Sequence, residues 1–132
     1  MDAPEFRSGE YLTFRLGGQE FAIDAKHVKG IVPMHDMEAA DDDGSLLGHA
    51  KLQGYEFAVI NLAGHLKLRP GERGRSPCIV VIDGVSVIGF PVDGVSGIVM
   101  ARAHDYRHGK LRIGRPRRIL DADALTKETG GA

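Results

Sequence analysis

Tryptophan is absent from the 132 residues, and cysteine occurs once. A lone Cys78 closes no internal disulfide and leaves no cysteine pair for a metal site. No apolar run reaches the roughly 18 residues that a membrane-crossing helix needs. The opening Met1-Asp2-Ala3-Pro4-Glu5 is acidic, where a secretory leader would be basic and then apolar. No leader is read, and a cytoplasmic protein without membrane insertion is expected. Catalytic signatures are also missing. There is no Gly-x-Ser-x-Gly elbow, no phosphate loop ending in Gly-Lys-Ser or Gly-Lys-Thr, and no dinucleotide fingerprint after a strand. The expectation is a protein that is not an enzyme and has no cofactor and no small-molecule substrate.

Glycine, by contrast, is abundant: 18 residues, about twice the usual share. Without a Gly-X-Y period this is not collagen. Glycine is costly within helices and favoured where a turn needs positive φ. Many short strands joined by tight turns are therefore expected. Leu12, Phe14 and Leu16 alternate with Tyr11, Thr13 and Arg15. Gly17-Gly18 and the run Gln19 to Asp24 follow, which reads as a β-hairpin. A second hairpin is read from Gly48 to Leu52, turning at Gln53-Gly54 into Tyr55 to Leu62. A third runs from Cys78 to Ile82, turning at Asp83-Gly84 into Val85 to Val92. The run 78–82 is apolar throughout and is expected to be buried on both faces.

Short echoes recur. Gly18 to Ile23 resembles Gly54 to Val59 at an offset of 36. Val28 to Val32 resembles Val95 to Val99 at 67, and Ile23-Asp24 resembles Val92-Asp93 at 69. Strands drawn from a small alphabet produce such echoes by chance. Two similar lobes of antiparallel strands produce them by design. Helix signals are confined to one turn at Asp24 to Val28 and a short terminal helix over Asp121 to Glu128. Loops are expected at Met34 to Ser45 and Arg69 to Pro77.

Net charge is −1 but unevenly spread. Residues 1–66 hold 5 basic and 11 acidic side chains; residues 67–132 hold 12 and 7. The basic excess lies in 102–118, at Arg102, Arg107, Lys110, Arg112, Arg115, Arg117 and Arg118 against Asp105 alone. A solvated face is the plain reading. A patch of Arg112, Arg115, Arg117 and Arg118 that meets an acidic protein is the sharper one. Nucleic acid is the less expected partner of 102–118, because readers of single strands use aromatic platforms and Tyr106 is the sole aromatic there. His104 and His108 have ligand spacing but lie in a polar stretch that ends in Gly109, so no metal site is expected. Cys78 reads as a buried, inert thiol, and Asp41-Asp42-Asp43 as a solvated loop.

Taken in order, these blocks resemble the CheW-like adaptors of bacterial chemosensory pathways. Tyr11 to Asp24 with Val28-Lys29-Gly30-Ile31 resembles the family's opening hairpin and Val-x-Glu-Ile. Gly48 to Gly54, then Val59 to Leu62, resembles Gly-x-x-Asn-Leu-Arg-Gly and Pro-Val-x-Asp-Leu. Ile79 to Val81 through Gly89, with Val92-Asp93-Gly94-Val95, resembles the third block, and Arg118 to Asp121 with Leu125 the closing strand and turn. The resemblance implies an all-β fold of two small five-stranded barrels of the Src-homology-three kind, side by side with a groove between them and a short C-terminal helix. The expected lobes are 18–68 and 9–17 plus 69–125, with 126–132 as a tail. It further implies a non-catalytic scaffold between the regulatory domain of a CheA-type histidine kinase and the cytoplasmic tip of a chemoreceptor. The alternative to such an adaptor is a small β-barrel binding module that contacts an acidic protein or nucleic acid through 102–118. Groove positions carry over to Val28 as an apolar contact, and to Gly48 and Gly54 as turns that let a partner approach. Gly30 stands where the family has Glu, Gln53 where it has Arg, Asn61 where it has Asp and Ala58 where it has Pro. The stretch between Val99 and Leu120 is shorter than is usual in the family.

Overall fold

A computed structural model describes residues 6–39, 46–68 and 78–129. The stretch 69–77 expected as a loop, the aspartates 41–43 and the glycines 130–131 lie outside the described residues. The first hairpin is β1 (Gly9–Leu16) and β2 (Gln19–Asp24), and a 3-10 turn at Ala25–His27 leads into β3 (Val28–Pro33). A second 3-10 turn at Met34–Asp36, β4 (Glu38–Ala39), β5 (Leu46–Leu52), β6 (Tyr55–Ile60) and a one-turn helix α1 (Leu62–His65) complete the first half. The second half repeats that plan. It contains β7 (Cys78–Asp83), β8 (Val87–Val92), β9 (Gly94–Ala101), a 3-10 turn at Ala103–Asp105, β10 (Tyr106–Arg107), β11 (Lys110–Ile113), β12 (Arg115–Leu120) and α2 (Ala122–Thr129). Part of the stretch expected as a loop, 34–39, is therefore a 3-10 turn and a short strand.

Two six-stranded sheets form, in the orders β10-β11-β12-β2-β1-β9 and β3-β7-β8-β6-β5-β4. In each the third and fourth strands pair parallel, β12 with β2 and β8 with β6, and all other pairs are antiparallel. The fold is all-β with two lobes and a short closing helix, as expected. Each lobe has six strands instead of five because β4 and β10, two residues each, join the sheets.

The halves exchange hairpins. β1 and β2 pair with β9 to β12 of the second half, while β7 and β8 pair with β3 to β6 of the first. The echoes at 67 and 69 thus align β3 with β9 and the end of β2 with the end of β8. The echo at 36 joins β2 to β6, which hold different places. Lobe boundaries differ accordingly: they fall between Asp24 and Val28 and between Val92 and Gly94, not at 17/18 and 68/69. The physical reason is the Gly17-Gly18 turn. Both glycines have positive φ, 59° and 76°, and bind β1 to β2 over six residue pairs. Nor is 126–132 simply a tail, since Thr126 is fully buried within α2.

Alternation decides which face of each strand meets which core. Leu12, Phe14, Leu16, Phe21 and Ile23 meet Val80, Ile82, Ile88, Phe90 and Val92 in a core shared by both lobes, which Leu120 and Leu125 close. Phe14 lies 5.8 Å from Phe21 and 5.5 Å from Phe90 between ring centroids. The opposite faces fill each lobe. Ile79 and Val81 join Val32, Ala50, Phe57 and Val59 in one; Tyr11 joins Ala22, Ala101, Leu111 and Ile119 in the other. Ile79 to Ile82 are buried on both faces because they divide two cores, while Cys78 at the start of the run is half-buried.

The Asp83-Gly84 turn is wider than its sequence suggests. Asp83 pairs with Val87, which leaves three residues between the strands. Val85 N–H donates to Thr126 Oγ1 at 2.8 Å, tying the loop to α2. Contact with the helix overrides the two-residue turn.

Candidate functional site

Between the lobes the described residues form the shared core. A groove of about 620 Å³ opens instead within the lobe 28–92. Leu52, Phe57, Val81 and Val87 give it an apolar lining, and Lys29, Gln53, Tyr55, Asp83, Val85 and Ser86 complete it. Tyr55 and Val85 stand 61% and 68% exposed. Lys29 Nζ lies 3.4 Å from Asp83 Oδ2, an exposed ion pair of little energetic weight. Ser86 Oγ is buried without a hydrogen-bond partner among the described residues. Large apolar and aromatic side chains held out of the core over such a lining are what a protein partner buries.

The five groove positions are only partly brought together. Gln53 lines the groove, and Gly54 beside it completes the β5–β6 turn, their φ values being 51° and 81°. Gly30 adjoins it, since a Cβ there would lie 3.0 Å from Leu52 Cδ2. Glycine at this position lets Leu52 lie over β3. Val28 is half-buried and packs against the shared core. Gly48 lies in no turn. It is buried in β5, where a Cβ would overlap the Glu38 carbonyl oxygen of β4. Its glycine serves strand packing. Asn61, in the place of the family's Asp, caps α1: its Oδ1 accepts from Gly64 N–H at 3.0 Å. Sequence reasoning missed Tyr55 and Val85, although an aromatic directly after a Gln-Gly turn is a usable signal.

The basic residues divide between two faces of the other lobe. Arg117 turns inward. It donates to the Ile113 carbonyl, and its Nε lies 4.0 Å from Glu20 Oε2, both side chains largely buried. Arg115 approaches the other Glu20 oxygen, also at 4.0 Å. Arg112 and Arg118 are exposed. The four residues expected to form one patch therefore split two and two. His104 Nε2 lies 3.4 Å from Asp105 Oδ1 in a 3-10 turn, whereas His108 sits in the β10–β11 turn, so the pair shares no helical face. Burial pushes the Cys78 thiol above its ordinary range, which disfavours the reactive thiolate.

Comparison with known proteins agrees with this architecture. The crystal structure of the scaffolding protein TtCheW from Thermoanaerobacter tengcongensis superposes with a TM-score of 0.66 at 15% identity, over 80% of this chain and 70% of that one. Among curated proteins no sequence match is found. The model of the CheW-like domain matches residues 10–129, and the chain accordingly belongs to that family of chemotaxis scaffold and adaptor domains.

Proposed function

We propose that the protein is a non-catalytic cytoplasmic adaptor that joins the regulatory domain of a CheA-type histidine kinase to a chemoreceptor tip or a receptor-like partner. The observation that carries this reading is the open apolar groove, with Tyr55 and Val85 held on its rim. Family membership supports it. Where the family pattern has Glu and Arg, this chain has Gly30 and Gln53. An Arg fork has no substitute in glutamine, so the contact rests on apolar burial, with the Lys29–Asp83 pair at its edge. A partner helix laying an apolar face into the groove fits that chemistry.

Pull-down with a purified kinase regulatory domain and with a receptor-tip fragment tests the proposal. At least one partner is retained by the wild-type chain, and Tyr55→Ala weakens that binding by about 2 kcal/mol, roughly thirtyfold. Retention of neither partner ends the proposal.

A further inference from the structure

We infer that the outer face of β10, β11 and β12 is a second docking surface, one that takes an acidic helical segment of a partner protein. This goes beyond the adaptor reading and concerns the opposite lobe. The turn at His108-Gly109 sets Arg107 opposite Lys110, and the next pairing sets Lys110 opposite Arg118. Three exposed cations therefore stand in one row across three adjacent strands. Arg112 lies two residues along β11 on the same face, opposite Pro116. No carboxylate occurs in any of the three strands. Like charges placed directly opposite one another weaken a strand pair, and none of these four has an ion-pair partner among the described residues. The other two cations of these strands show what neutralisation looks like here: Arg115 and Arg117 both lean on Glu20. The row on the outer face is left for an anion from outside.

Spacing and the lack of stacking surface select the kind of anion. Neighbouring strands are about 4.8 Å apart. Carboxylates at i and i+4 of a helix carry Cβ atoms about 6 Å apart. An acidic helix crossing the strands thus meets successive cations. A nucleic acid would want an aromatic platform. Tyr106, the sole aromatic of these strands, faces the other way, where it stacks on Phe6 at 5.0 Å.

The test is fluorescence anisotropy at low ionic strength with two labelled probes. One is a helix-forming peptide with glutamates at i and i+4, the other a single-stranded oligonucleotide. The peptide should bind, and added salt should weaken it. Lys110→Gln with Arg118→Gln should lower its affinity by roughly tenfold or more, while Arg115→Gln should stay within about twofold. Failure of the peptide to bind, indifference to the double substitution, or tighter binding of the oligonucleotide overturns the inference. The melting temperature of the double variant is a second readout. It holds or rises if the row is self-repelling, and a fall overturns the premise. Kinase and receptor pull-downs with the same variant should match wild type, which separates this face from the groove.

Discussion

Tyr11 is buried in the core of its lobe, yet its hydroxyl donates to the Arg7 carbonyl at 2.7 Å. Burial pushes its pKa above the ordinary 10.0, with the Arg7 backbone contact opposing. A phenol whose folded pKa is raised adds its full contribution below the unfolded pKa and loses it as pH rises through the folded one. Urea unfolding at neutral pH should show Tyr11→Phe less stable by about 1 kcal/mol. Above about pH 10 the wild type should lose stability through this residue, and the gap between the two proteins should narrow. A gap that widens with pH would contradict the assignment. Gly89 makes a different case. It lies in the central strand β8, where a Cβ would come 2.6 Å from Phe57 Cε2 and 2.7 Å from Ile79 Cγ2. Gly89→Ala should cost about 1–3 kcal/mol, read as a lower melting temperature with the sheet signature in circular dichroism kept. The alternation of Leu12, Phe14 and Leu16 was legible from the chain alone, because period two is a local signal. The need for Gly89 was not, since the ring that occupies its space lies 32 positions earlier.

Strand pairs were legible wherever a glycine turn separates two alternating runs. The β1–β2 and β5–β6 hairpins follow their sequences to within a residue or two. The β7–β8 connection departs from its Asp-Gly signal because α2 docks on it. Thr126 Oγ1 accepts from Val85 N–H and donates to the Ala122 carbonyl at 2.9 Å, with the residue fully buried. Gly84 permits the approach, since a Cβ there would lie 2.6 Å from the Ala122 carbonyl oxygen. Replacing Thr126 with Val keeps the shape and removes the hydroxyl, leaving the Val85 N–H without its acceptor. A loss of about 1–3 kcal/mol is expected. Faster amide exchange at Val85 than at Val81 should accompany it. Because Val85 and Ser86 line the groove, partner binding should weaken in the same variant. Unchanged exchange at Val85 would show that the helix does not hold this loop. Helix-to-loop capping of this kind has no sequence period, which is why Asp83-Gly84 alone pointed to a shorter turn.

Exchange of hairpins between the halves sets the folding unit of the whole molecule. The echoes near half the chain length were visible in the sequence, but which strands share a sheet was not. Pairing partners as far apart in the chain as Ala58 and Ile88, Val28 and Ile82, or Phe21 and Arg118 leave no local trace. Each half carries a hairpin whose sheet is completed by the other. Phe14 and Phe21 from one half pack with Phe90 from the other in the largest core. Neither half owns that core, so a fragment ending at Leu68 exposes Phe14, Phe21 and Ile23. One beginning at Cys78 exposes Val80, Ile82 and Phe90. An isolated hairpin is marginal in water, and the strands left behind lack the pair that completes their sheet. The two fragments made separately should therefore give far-ultraviolet and proton spectra of unfolded or aggregating chains. Mixed in equal amounts, they should recover a dispersed spectrum and a cooperative unfolding transition. Had the lobes been contiguous segments divided near residue 68, each fragment would fold alone, and mixing would change nothing. A folded, monomeric fragment 1–68 would thus count directly against the shared core. Reconstitution on mixing would instead show that the groove of one lobe depends on a hairpin from the far half of the chain.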